Sequence, residues 1–271
     1  MLELIQITND QELARRCDAL DGMRLLVDLE RMNKAERQYG RNTFISNHAL
    51  DDIGRIRSVV RRSTLIVRLN PLHSGTNAEV DASLAQGADW LMLPMFTAAD
   101  ELHSFCAVVG GRAPVVALLE TAGALESMPH WLDAVGLREV YVGLNDLHVS
   151  LGLRFMFEPL AMGLLDRVAG LVRRKGLRFG FGGIARIDEG LLAGRDVLAE
   201  HLRLGSQAVI LSRTFQRDRG VVALETGVAS LREAERLLAM RSVAQIETDR
   251  LRIAAAIGAI ARGMNSQRVP S

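Results

Sequence analysis

Short apolar runs rich in Val, Ile and Leu recur along the chain, each followed by a longer stretch whose apolar residues return every three or four positions. The runs predict strands at Arg24–Glu30, Asn42–Asn47, Thr64–Asn70, Trp90–Pro94, Val115–Glu120, Glu139–Leu144, Arg178–Gly183 and Ala208–Ser212. About eight strands is the number a closed parallel barrel requires. Their nearly continuous apolar character suits strands covered on both faces. The stretches between them predict helices over Ala49–Arg61, Ala78–Gln86, Ala98–Val109, Pro159–Arg174 and Asp188–Leu204, several of them ending near a glycine.

Two segments depart from the alternation. Arg31–Arg41 is short and charged, so the first helix of the barrel is expected to be reduced or absent. From Ala229 to Ala261 the pattern reads as one or two long helices, with Leu231, Leu237, Leu238, Ile246, Leu251, Ile253, Ile257 and Ile260 as apolar positions. Such an extension is either a lid on the barrel or an arm for a neighbouring subunit. No Pro/Gly/Ser-rich linker intervenes. The expected architecture is α/β, a (β/α)8 TIM barrel over residues 1–225 with a C-terminal helical extension over 226–271.

Composition narrows the function classes. The 271 residues suffice for one such barrel, and a net charge of +1 offers nothing to a polyanion. Aromatic residues make up 4%, too few for a base-stacking platform, so no nucleic-acid partner is expected. No apolar run approaches the ~18 residues of a membrane span, and the N-terminus lacks a basic stretch leading into an apolar one. A cytoplasmic protein without a membrane partner is expected. Cys17 and Cys106 stand far apart in helical segments and read as reduced thiols.

Barrel enzymes work at the C-terminal ends of their strands. Four apolar runs end in polar residues there: Asp28 and Glu30, Arg68 and Asn70, Glu120, and Asn145 with Asp146. Glu120 and Asp146 end the fifth and sixth expected strands. Neighbouring carboxylates repel unless a proton or cation lies between them, and oxygen-only ligation favours Mg2+ or Mn2+. The alternative is that each caps the helix that follows it. Arg68 has a planar fork that grips a substrate carboxylate, or else forms a salt bridge to Glu30 or Glu120. Gly182-Gly183 serves either a tight turn or close approach to a ligand. His48 and His148 fall just past strand ends, whereas His73, His103, His130 and His201 read as surface or core residues. Met92 and Met95 flank Pro94 and read as core filler. No dinucleotide fingerprint, Walker A loop or nucleophile elbow is present.

Taken together, VDLE at 27–30, IVRLNPL at 66–72, GADWLMLPMFTAADEL at 87–102, VVALLETAGALESM at 115–128 and VYVGLNDLHVSLG at 140–152 resemble the HpcH/HpaI aldolase and citrate lyase β-subunit family. FGFGGIAR at 179–186 and VILSRTF at 209–215 are similar to its last two barrel strands. The resemblance implies a metal-dependent carbon–carbon lyase, with Glu120 and Asp146 as ligands of Mg2+ or Mn2+. Arg68 would contact the substrate, and the turn Leu144, Asn145, Asp146 would hold the carboxylate of a 2-oxo acid such as pyruvate through its amides. Stabilising the enolate left by C–C cleavage would be the central task. The resemblance also implies a homo-oligomer, a trimer or hexamer, joined through the C-terminal helices.

Two departures leave the base open. The aldolase branch carries a histidine after its first strand, where this chain reads VDLERM, and the citrate-lyase-like branch has a further acid where this chain has Arg31. Glu30 and His48 are the candidates. An enzyme acting on an acyl-CoA thioester is the first alternative, with Arg154, Arg186 and Arg213 available to the nucleotide. A non-catalytic metabolite-binding barrel is the second.

Overall fold

The computed structural model describes residues 1–32, 47–215 and 222–264. Eight parallel strands follow one another in chain order around a closed barrel. They are β1 (Glu3–Ile7), β2 (Met23–Asp28), β3 (Thr64–Arg68), β4 (Trp90–Leu93), β5 (Val115–Leu119), β6 (Leu137–Val142), β7 (Arg178–Ile184) and β8 (Ala208–Leu211). Helices connect them and form the C-terminal region, so the (β/α)8 expectation holds.

The strand set differs from the sequence reading at its start. Glu3–Ile7 is the first strand, although Glu3 and Gln6 interrupt its apolar run, and Leu4, Ile5 and Gln6 are all buried. Helix Gln11–Asp18 follows, its N-terminus capped by Asp10, whose carboxylate accepts the N–H groups of Glu12 and Leu13. The strand expected to be first is therefore the second. Of the expected strand Asn42–Asn47, residues 42–46 lie outside the described residues, as does most of Arg31–Arg41.

Packing divides the chain into two compact units, Glu3–Tyr141 and Val142–Ser271 with Met1–Leu2. In the first, β2 and β5 are buried along their whole lengths, as strands covered on both faces must be. The register of β2 on β3 runs Arg24↔Thr64 to Asp28↔Arg68. Asp18 fixes the entry to β3: its carboxylate accepts the N–H groups of Arg61, Arg62 and Ser63. Near the N-terminal ends of the strands, buried Arg24 donates to both oxygens of buried Glu139, at 3.1 and 2.8 Å, and its guanidinium lies 4.8 Å from the Trp90 ring centre. Cys17 and Cys106 are both buried free thiols in helices, and burial pushes the Cys106 thiol up to about 11.

In the second unit, the expected helix Pro159–Arg174 is two helices, Glu158–Ala161 and Leu164–Arg174, separated where Gly163 takes φ +72°. The extension is likewise two helices, Val222–Leu238 and Val243–Gly263. The second opens on a capping box, in which Ser242 accepts the Gln245 N–H and the Gln245 side chain accepts the Ser242 N–H. Val243–Gly263 packs on Glu158–Ala161 and on helix Gly194–Leu204 of its own chain, burying Ile253, Ile257 and Ala261. Leu237, Met240, Val243 and Leu251 remain exposed.

Candidate active site

In the first unit, the strand ends gather one guanidinium and three carboxylates. Asp28 and Arg68 are the last residues of β2 and β3 and stand directly opposite each other in the register. Arg68 donates from Nε to Asp28 Oδ1 at 2.8 Å and from Nη2 to Oδ2 at 2.7 Å, a bidentate pair. Its Nη1 lies 3.5 Å from Glu30 Oε2. Asp28 and Glu30 are 1% and 2% exposed, so both acids are withdrawn from water beside their cation. Burial works against the charge of Arg68. The Asp28 carboxylate, through its field and its hydrogen bonds, outweighs that penalty, followed by Glu30 and Glu120, and the guanidinium is held above its usual range. Arg68 is therefore charged at any working pH. Of the two sequence readings of Arg68, the salt bridge is present, and its main partner is Asp28, which sequence reading left without a role.

Glu120 immediately follows β5 and is buried. It does not cap the next helix. That helix, Ala122–Glu126, is capped by Thr121, whose hydroxyl accepts the Ala124 N–H at 3.0 Å. Glu120 Oε1 instead accepts the N–H of Met95 at 3.1 Å.

His48 is buried, and its Nδ1 accepts the backbone N–H of Asp28 at 3.0 Å. That bond assigns the proton of the neutral ring to Nε2. Asn70 is a brace: its Oδ1 accepts the N–H groups of Arg31 and Met32, and its Nδ2 donates to Glu79 at 2.7 Å. Arg31 Nη2 closes the same corner on the His48 carbonyl at 2.6 Å.

In the second unit, Leu144, Asn145 and Asp146 open helix Leu144–Ser150, and Gly143 at its cap position supplies no side chain. Asp146 thus lies inside a helix rather than at the end of β6, which stops at Val142. It is half-buried and makes no hydrogen bond or ion pair among the described residues, so it is not a cap either. The N–H groups of a helix's first turn have no intrahelical acceptor, and here Leu147 is the first to reach back, to the Gly143 carbonyl. Gly182, at φ +56°, makes room for protein: a Cβ there would stand 3.0 Å from Leu144 Cδ1. Arg154 and Arg213 are exposed, and Arg186 is half-buried with Nη1 3.8 Å from Glu189. His148 Nδ1 lies 3.1 Å from the Leu144 carbonyl, and His201 is a core residue stacked on Phe181. Among the described residues, no three or more His, Cys, Asp and Glu side chains gather as a metal cluster, and no helix is long and apolar enough to cross a membrane.

Solved structures share the fold. An HpcH/HpaI aldolase/citrate lyase family protein from Burkholderia cenocepacia is 15% identical, with TM-score 0.61 over 89% of this chain and 95% of its own. An HpcH/HpaI aldolase from Desulfitobacterium hafniense is 17% identical, with TM-score 0.59 over 89% and 94%. The citrate synthase SbnG is 14% identical, with TM-score 0.58 over 87% and 94%. No curated protein matches the chain. The sequence profile described as HpcH/HpaI aldolase/citrate lyase matches residues 7–156, more than half the chain, running from the last residue of β1 past the helix bearing Asp146. The chain belongs to the HpcH/HpaI aldolase/citrate lyase family, whose members are carbon–carbon lyases.

Proposed function

We propose that this lyase is divalent-metal-dependent and forms the enolate of a 2-oxo acid such as pyruvate, in the cytoplasm. The observation that carries the reading is Arg68. It is a mostly buried guanidinium at the strand ends, held charged by the buried Asp28 and Glu30, with Glu120 in its field. Breaking a C–C bond beside a carbonyl leaves negative charge on the carbonyl oxygen, and a fixed positive group stabilises that charge without reorganising.

Members of this family typically depend on a divalent metal. The donor chemistry suits a hard cation: Glu120 and Asp146 are both carboxylates, and the buried Glu120 is already oriented by a backbone N–H. Mg2+ or Mn2+, when bound, supplies Lewis acidity toward the 2-oxo and carboxylate oxygens of the substrate. The first-turn amides of Leu144, Asn145 and Asp146 take the substrate carboxylate. Between the two candidate bases, the hydrogen bonds favour Glu30. In neutral His48 the Nδ1 lone pair is engaged by Asp28 and Nε2 carries the proton, so the ring acts as a donor. The exposed apolar side chains Leu237, Met240, Val243 and Leu251 support a homo-oligomer formed through the extension.

The metal assignment is tested by titrating Mn2+ into the protein and into Glu120→Ala and Asp146→Ala. Each substitution is expected to abolish binding while the fold is kept. Retained affinity in both would overturn it.

A further inference from the structure

Met95 is the one non-glycine residue with positive φ, at +55°, among the described residues. A methionine does not choose the left-handed region, so its surroundings must hold it there. It lies two residues past β4, after Pro94, and the loop around it is clamped at several points. Phe96 is buried edge-on against Trp131, with ring centres 5.3 Å apart. The Thr121 hydroxyl donates to the Phe96 carbonyl at 2.7 Å. The Thr97 carbonyl presses on Gly123 so closely that a Cβ there would be 2.4 Å away. Glu101 accepts the N–H groups of Thr97 and Ala98 at 2.5 and 3.0 Å. Two of these clamps come from Thr121 and Gly123, in the turn directly after Glu120. The end of β4 and the end of β5 are therefore locked into one piece, and within it the Met95 N–H points at Glu120 Oε1.

We propose that Met95 is a positioning residue, whose left-handed backbone aims its N–H at Glu120 and fixes the orientation in which that carboxylate meets the cation. This rests on the reading of Glu120 as a metal ligand. Partners that orient a ligand typically carry a 10–100-fold effect on metal affinity. The side chain of Met95 is incidental; what matters is a residue that can stay at positive φ. Asparagine tolerates that region, and a β-branched valine does not.

The experiment measures Mn2+ affinity by electron paramagnetic resonance, with thermal midpoints alongside, for the whole protein and for Met95→Val, Met95→Asn and Glu120→Gln. Met95→Val is expected to weaken Mn2+ binding about tenfold or more, and Met95→Asn to stay within about twofold of the parent. Equal affinity in Met95→Val overturns the inference and leaves Glu120 a ligand. Equal loss in Met95→Val and Met95→Asn also overturns it, because the side chain would then be what matters. If the parent binds no Mn2+, or Glu120→Gln binds it as tightly, the metal reading falls and the inference with it. Should Met95→Val not fold, Thr121→Val, which releases the Phe96 carbonyl, takes its place, with Thr121→Ser as the variant that keeps the hydroxyl. Weakened binding in Thr121→Val but not Thr121→Ser supports the inference, and parent-like affinity in both overturns it.

Discussion

Arg68 and Asp28 face each other across the ends of β3 and β2, and the guanidinium grips the carboxylate with two N–H groups at 2.8 and 2.7 Å. Because both are last in their strands and directly paired in register, no loop has to close to bring them together. The fork that an incoming carboxylate would use bidentately is already committed to Asp28, so under the proposed function Arg68 would act on the substrate mainly through its positive charge.

Removing one partner of this pair leaves the other charge buried. Asp28→Ala is expected to cost about 3–5 kcal/mol of folding stability. Arg68→Met combined with Asp28→Ala is expected to cost less than the sum of the two single changes. Urea denaturation of the four proteins measures the coupling, and strict additivity would show that the two side chains do not depend on each other.

A further buried ion pair lies away from the strand ends that carry Asp28 and Arg68. Arg24 and Glu139 are 3% and 0% exposed and lie near the N-terminal ends of β2 and β6. Glu139→Ala is expected to lower stability by about 3–5 kcal/mol, leaving the Mn2+ affinity of the folded protein unchanged. A normal thermal midpoint, or a large loss of metal affinity at temperatures where the variant is folded, would contradict this placement.

His201 gives the fold a pH dependence of definite sign. It is fully buried, stacked on Phe181 with ring centres 3.8 Å apart, and burial lowers its pKa to about 3. Nδ1 lies 2.8 Å from Ser206 Oγ, and Nε2 has no hydrogen-bond partner among the described residues. The unfolded chain binds a proton here near pH 6.5 and the folded protein does not, so this contribution is complete above pH 6.5 and is lost as the pH falls toward 3. Each pH unit within that window removes up to about 1.4 kcal/mol. His201→Gln, compared with the parent by urea denaturation between pH 7.5 and 5, should show a shallower decline. Parallel curves would mean that His201 titrates alike in both states.

The strand–helix alternation made the barrel legible because strands such as Val115–Leu119, buried along their whole length, leave an uninterrupted apolar run. β1 escaped for the opposite reason: Glu3 and Gln6 sit inside a strand whose neighbours Leu4 and Ile5 are buried. At the site, Glu30, Arg68 and Glu120 could be named because each ends or follows such a run. Asp28 lay in the same VDLE run, but its partnership with Arg68 depends on the β2–β3 register, which no single run reveals. Met95 read as core filler because a positive φ leaves no mark when the residue is not glycine. The capping alternatives for Glu120 and Asp146 turned on hydrogen bonds alone: Thr121 caps the helix after β5, and Gly143 caps the helix that contains Asp146.

The central claim is that this chain generates an enolate from a 2-oxo acid. The most direct test is to incubate the protein with pyruvate and Mg2+ or Mn2+ in D2O and follow the methyl protons by NMR. Metal-dependent loss of the methyl signal, abolished in Glu120→Ala and strongly slowed when Arg68 is replaced, is the predicted result. A methyl group that keeps its protons in the presence of protein and either metal would contradict the account.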